Sequence, residues 1–123
     1  MNLSEARIIF MGTSAYAEPV LKALHDHNCN VVLVVSQPDR KRGRNRKKAA
    51  PPVKQLALEL GTDVYQPEKI RTRDAFETLK SYKPDVMITA SYGQILRRKH
   101  IELPPYGILN VHASLLPVLR GAA

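Results

Sequence analysis

The sequence predicts an α/β fold, Rossmann-like, with a mostly parallel sheet carrying helices on both faces and broken off after its last strand. Three observations predict it. Four short runs of aliphatic and β-branched residues recur at Arg7–Met11, Val31–Val35, Val86–Ala90 and Gly107–Val111. These runs are nearly continuous rather than alternating, which is the mark of strands covered on both sides. The stretches between them are long enough for a helix, so successive strands pair in parallel. A chain of 123 residues, 44% of them hydrophobic, has room for one domain with a packed core.

The elements follow in order. Arg7–Met11 reads as a buried strand, and Gly12-Thr13-Ser14 turns the chain out of it. The next helix holds Pro19 in its first turn, where a missing N–H does little harm, and Val20, Leu21 and Leu24 form its apolar face. Val31–Val35 is the second strand. The stretch from Gln37 to Ala50 reads as a charged loop containing Gly43 and ending at Pro51-Pro52. Val53, Leu56, Ala57 and Leu60 return at helical spacing, and Gly61 is the expected stop. Val64-Tyr65 is a candidate short strand. Phe76 and Leu79 mark a helix with Thr72 as its cap and Pro84 after its end. Val86–Ala90 is the next strand, turned by Ser91-Tyr92-Gly93. Pro104-Pro105 ends a short helix, and Gly107–Val111 is the last strand.

Composition narrows the setting. No apolar run is long enough to cross a bilayer, and MNLSEARIIF lacks the basic and long apolar regions of a secretory leader. Cys29 is the single cysteine, so no internal disulfide can form. Both features point to a cytoplasmic protein with no membrane partner. The net charge of +8 is uneven. Seven of the basic residues, Arg40, Lys41, Arg42, Arg44, Arg46, Lys47 and Lys48, fall in one run without an acid. Such a run attracts polyanions, although charged loops are often merely solvated.

Asn110-Val111-His112 carries the clearest chemistry. Residues two apart on a strand share a face, so the Asn110 amide and the His112 imidazole would meet at the strand's carboxyl end. Open α/β sheets bind ligands there. Both groups donate hydrogen bonds, and an oxygen gaining negative charge accepts them. Histidine also moves protons near neutral pH. The local pattern alone favours a plainer reading, in which His112 only satisfies the backbone of the following turn, because Asn-x-His is a short and common string. Gly12-Thr13-Ser14 offers an anion seat at a helix N-terminus, yet it is not the dinucleotide fingerprint. His25, His27 and Cys29 lie close together but fall short of a zinc set, and a polar helix end accounts for them, so no metal is expected. His100 has no evident partner in the sequence.

The string from Asn110 to Pro117 (NVHASLLP), followed by Arg120-Gly121, resembles the signature of the folate-dependent formyltransferases. Phe10–Ser14 with Pro19, Ser36–Arg40, Gly43-Arg44, Pro52–Lys54, Gln66-Pro67 and Ala90–Leu96 resemble the methionyl-tRNA formyltransferase branch, in order. The resemblance implies the formyltransferase fold and transfer of a formyl group from 10-formyltetrahydrofolate to methionine on initiator tRNA. It implies catalytic roles for Asn110 and His112. It implies a folate pocket formed by Ser91, Tyr92, Gly93, Gln94, Ile95 and Leu96 with Ser114, Leu115, Leu116 and Pro117. It places the basic run from Arg40 to Lys48 against the acceptor end of the tRNA.

The family's third catalytic group is an aspartate expected beyond Ala123, and Asp85 sits at the wrong end of its strand to replace it. Residues 1–123 are therefore expected to be the first part of the catalytic domain, inactive alone, with the remainder of that domain and a C-terminal domain missing. The complete protein is expected to be a monomer. Two other functions compete: a sugar-nucleotide formyltransferase, which has no use for the basic run, and a non-catalytic RNA-binding module.

Overall fold

The computed structural model describes residue 2, residues 4–42 and residues 47–112, with backbone alone for Lys41, Arg42, Lys47 and Lys48. At its centre lies β1 (Ile8–Gly12), buried at every position. Its side chains divide by parity. Ile8 and Phe10 join one core cluster, while Ile9 and Met11 join another on the opposite face. Burying each such side chain favours folding by roughly 1.5–3 kcal/mol.

The first cluster is closed by α1 (Glu18–Asp26) and α2 (Pro52–Glu59) through Leu21, Val53 and Ala57. The second is closed by α3 (Arg73–Ser81) through Ala75 and Leu79. A short α4 (Arg98–Glu102) sits beside α3, with the Phe76 and His100 rings edge to face at 5.8 Å. Helices thus cover both faces.

The strands β2 (Val31–Val35), β5 (Val64–Tyr65), β6 (Val86–Ala90) and β7 (Ile108–Asn110) complete a five-stranded sheet ordered β5-β2-β1-β6-β7. Every pairing in it is parallel. The chain builds outward from β1 to β2 and β5, then crosses back to lay β6 on the other side of β1. The order reverses between β1 and β6, so a ligand crevice is expected at their carboxyl ends.

Local chemistry ends the helices where the sequence says they should. Pro19 lies in the first turn of α1. Gly61 takes a left-handed φ of 75° after α2, and Thr62 N–H reaches back to the Ala57 carbonyl at 3.0 Å. The Thr72 hydroxyl caps α3 by accepting from Ala75 N–H at 3.2 Å.

Three expectations need correction. The Gln37–Ala50 stretch is not all loop: β3 (Arg40–Arg42) and β4 (Lys47–Ala49) form an antiparallel hairpin apart from the main sheet. An all-basic run has no apolar alternation to announce a strand, so periodicity passes over it. The last strand is shorter than Gly107–Val111, because Gly107 turns with φ 83° and pairing ends at Asn110. Nor is His100 without partners. It is fully buried, its Nδ1 accepts from Arg97 N–H at 3.1 Å, and its Nε2 lies 3.0 Å from the Ile70 carbonyl. The first bond fixes Nε2 as the protonated nitrogen, donating to Ile70.

Candidate active site

The carboxyl ends of β1 and β6 are stitched together by backbone and hydroxyl groups. Gly12 ends β1 where a Cβ would come within 2.8 Å of both the Ala17 Cβ and the Ala90 carbonyl oxygen. Thr13 N–H donates to the Ser91 carbonyl at 3.1 Å, and its hydroxyl donates to the Tyr92 carbonyl at 2.7 Å. The same hydroxyl accepts from Gln37 N–H at 3.2 Å. Thr13 is thus committed to protein partners, and α1 begins only at Glu18, so this turn is not the anion seat the sequence allowed.

Ser91 holds a left-handed φ of 55°, which for a residue with a Cβ costs roughly 1–3 kcal/mol. Its hydroxyl meets that of Ser14 at 2.8 Å. Gly93 follows at φ 100°, with Gln37 Nε2 donating to its carbonyl at 3.2 Å.

Above this crest lies a cavity of about 580 Å³. Ser91, Tyr92, Gly93, Gln94 and Leu96 form one wall; Asn110, Val111 and His112 form another; Tyr16, Thr89, Ala90, Ile101 and Ile108 complete it. Asn110 is the last residue of β7, and His112 lies two residues past the strand. They still meet: Asn110 Nδ2 donates to His112 Nε2 at 3.1 Å. The amide is oriented from behind, because the Thr89 hydroxyl on β6 donates to Asn110 Oδ1 at 3.0 Å. Thr89 and Asn110 are direct partners in the β6–β7 ladder. With Oδ1 held by Thr89, Nδ2 must turn toward the imidazole and the cavity. Nε2 is then an acceptor and carries a lone pair.

The sequence did not single out Thr89. One hydroxyl among the apolar residues of Val86–Ala90 was the available sign.

The remaining predicted pocket residues divide. Ile95 does not line this cavity; it is 87% exposed in a neighbouring cleft. Gln94 lines the cavity, yet its side chain is tied into the protein. Its Oε1 accepts from Ile70 N–H at 2.7 Å, and its Nε2 donates to Gln37 Oε1 at 2.7 Å and to the Glu68 carbonyl at 3.1 Å. Tyr92 is buried, and burial pushes its phenol above the usual range. Ser114, Leu115, Leu116 and Pro117 lie outside the described residues, as do Arg44 and Arg46.

In the hairpin, Lys41 stands opposite Lys48 and Arg42 opposite Lys47. Its root is tied to the sheet by Asp39, which accepts from Gln66 Nε2 at 2.7 Å and pairs with Lys54 at 3.2 Å. Among the described residues no group of His, Cys, Asp and Glu is arranged to hold a metal ion, and no helix is long and apolar enough to cross a membrane.

The formyl transferase family model matches residues 6–123. The chain belongs to the formyl transferase family. Within it, the chain is similar to methionyl-tRNA formyltransferases. It is 54% identical over 117 residues to that of Listeria innocua, a match covering 95% of this chain and 37% of the relative. The corresponding values are 50%, 95% and 37% for Bacillus subtilis, and 50%, 95% and 38% for Ruminiclostridium cellulolyticum. This formyl transferase chain therefore spans under two-fifths of the length of those curated relatives. Its fold is that of glycinamide ribonucleotide transformylase 1 from Symbiobacterium toebii, at a TM-score of 0.62 and 20% identity over 90% of this chain and 53% of that one. The transformylase 1 of Geobacillus kaustophilus gives a TM-score of 0.59 at 20% identity, covering 91% of this chain and 60% of that one.

Proposed function

We propose that this chain supplies the formyl-donor pocket and two catalytic side chains of an enzyme that formylates methionyl-initiator tRNA in the cytoplasm. The donor is 10-formyltetrahydrofolate. The observation carrying this reading is the pairing of Asn110 Nδ2 with His112 Nε2 at 3.1 Å on the wall of the crest cavity. The methionyl amine attacks the formyl carbon, and its carbonyl oxygen becomes an oxyanion. Asn110 has a second N–H free to donate to that oxygen. Once Asn110 Nδ2 turns from His112 to the oxyanion, the freed Nε2 lone pair takes the proton the amine loses and delivers it to the donor nitrogen as the old carbon–nitrogen bond breaks. The mixed apolar and polar lining suits a flat heterocycle with amide-like edges.

The hairpin supports tRNA as the acceptor. Like charges directly opposite on paired strands destabilise the pair. The register sets Lys41 opposite Lys48 and Arg42 opposite Lys47, and a run of one sign suits a polyanion. A sugar nucleotide, with few phosphates, gives this run much less to do.

The test is a chimera in which the matched 117-residue segment of the Listeria innocua protein is replaced by this chain's. It should formylate methionyl-tRNA with 10-formyltetrahydrofolate. Asn110→Ala should then lower kcat by roughly 100-fold or more, and His112→Ala similarly. Turnover within a few-fold of the unsubstituted chimera in both variants would remove the assignment.

A further inference from the structure

Asn110 and His112 are exposed side chains at the outermost strand of the described sheet. Thr89 is half-buried on β6, which is paired on both sides, with β1 and with β7. It holds the reactive stretch at two points. Its carbonyl accepts from the N–H of Val111, the residue between the two side chains, at 2.7 Å, and its hydroxyl donates to Asn110 Oδ1 at 3.0 Å. The first bond belongs to the backbone and sets the path of the chain. The second acts on the amide alone. An amide has two ends of opposite character, and a half-turn about its last bond exchanges them. Flipped, Asn110 would offer its carbonyl oxygen to the imidazole and the cavity. Nε2 would then carry the proton, and an acceptor would face the oxygen that gains negative charge.

We propose that Thr89 is a positioning residue for formyl transfer: by holding Oδ1, its hydroxyl keeps the Asn110 N–H groups toward the imidazole and the cavity, and so keeps the Nε2 lone pair of His112 available. The proposal rests on the formyl-donor reading above and deepens it. The anchored oxygen also gives the amide a pivot, so that Nδ2 passes from His112 to the oxyanion without the two ends changing places. Donors fixed before the reaction cost nothing to arrange during it. In this role the hydroxyl touches no reacting atom and acts through Asn110.

Thr89→Val keeps the shape of the side chain and the backbone bond to Val111, and valine suits a strand. In the chimera described above it should lower kcat roughly 3- to 10-fold, the worth of one hydrogen bond. KM for both substrates should stay nearly unchanged, because the lost orientation matters in the transition state. Thr89→Ser should restore turnover. In an Asn110→Ala background Thr89→Val should have no further effect, since no amide is left to orient. A second measurement needs no turnover. In nitrogen NMR of the 123-residue chain at about pH 8.5, where histidine is neutral, His112 should carry its proton on Nδ1. Thr89→Val should move part of that proton to Nε2.

Unchanged kcat in Thr89→Val would overturn the proposal. So would an equal loss in the Asn110→Ala background, which would mean that the hydroxyl meets the reacting molecules itself. An Nε2 proton on His112 in the original chain would overturn it too. Full turnover in Asn110→Ala would instead count against the formyl-donor reading, and the NMR result would still decide whether the hydroxyl sets the amide.

Discussion

Gln94 joins three segments that would otherwise part, and its replacement has a calculable cost. Its side chain accepts from Ile70 N–H at 2.7 Å and donates to Gln37 Oε1 and the Glu68 carbonyl at 2.7 and 3.1 Å. Ile70 is 1% exposed, so water cannot replace a lost partner at its N–H. An unpaired buried donor costs about 1–3 kcal/mol, and each of the other two bonds about 0.5–1.5. Gln94→Met keeps the length of the side chain and removes all three. It should destabilise by about 2–6 kcal/mol, which is roughly 30- to 20,000-fold in the ratio of folded to unfolded chain.

Gln94→Glu is the stricter test. The introduced carboxylate still accepts from Ile70, but it faces two other acceptors. Gln37 cannot turn its amide to help, because its Nε2 is donated to Gly93. The folded state therefore holds the new carboxyl protonated above its unfolded pKa of about 4.3. The folded chain binds more protons there, so the deficit against the original chain is small below about pH 4 and grows as pH rises. Urea midpoints at acid and neutral pH measure both effects, and hydrogen exchange at the Ile70 amide locates them. Gln94→Met within about 0.5 kcal/mol of the original chain would refute the reasoning, since that is the ordinary range for surface changes. Unaltered protection of the Ile70 amide would refute it equally.

Two further outcomes follow from buried contacts. Burial holds the His100 imidazole below its ordinary value of 6.5, against the opposing pull of its bond to the Ile70 carbonyl. A depressed pKa means the folded state binds fewer protons, so this stability is complete above about pH 6.5 and is lost as pH falls through the folded value. Urea midpoints from pH 7.5 to 5 should therefore decline more steeply for the original chain than for His100→Gln. Parallel declines would exclude His100 as the cause. Gly12→Ala should cost about 1–3 kcal/mol by overpacking, because the new methyl would meet the Ala90 carbonyl oxygen at 2.8 Å. A thermal melt unchanged by this substitution would show that the β1–β6 crest can give way.

Most of the sheet was legible because both of its faces are buried. Ile8 to Met11 and Val31 to Val35 need no alternation when helices lie above and below them. Helix ends were legible where one residue type does the work, as at Gly61 and Thr72. The hairpin was not, because Arg40–Arg42 and Lys47–Ala49 pair through backbone groups without an apolar face. Asn110 and His112 were found as a pair, although the reason they meet is partly different. His112 lies beyond the strand, and a hydroxyl on the neighbouring strand aims the amide that reaches it. Contacts such as Thr89 to Asn110 and His100 to Ile70 join residues 21 and 30 positions apart. No local window of sequence contains both partners.

The Thr89–Asn110 contact has a mechanical corollary. The Asn110–His112 pairing depends on β6 and β7 staying in register, and β7 is three residues long with Leu109 57% exposed. A molecule filling the cavity touches Thr89 on one strand and Asn110 on the other, and so acts as a rivet through the seam. Ligand affinity and the integrity of that margin of the sheet are then one quantity measured two ways, since whatever binds only the zipped form holds it shut.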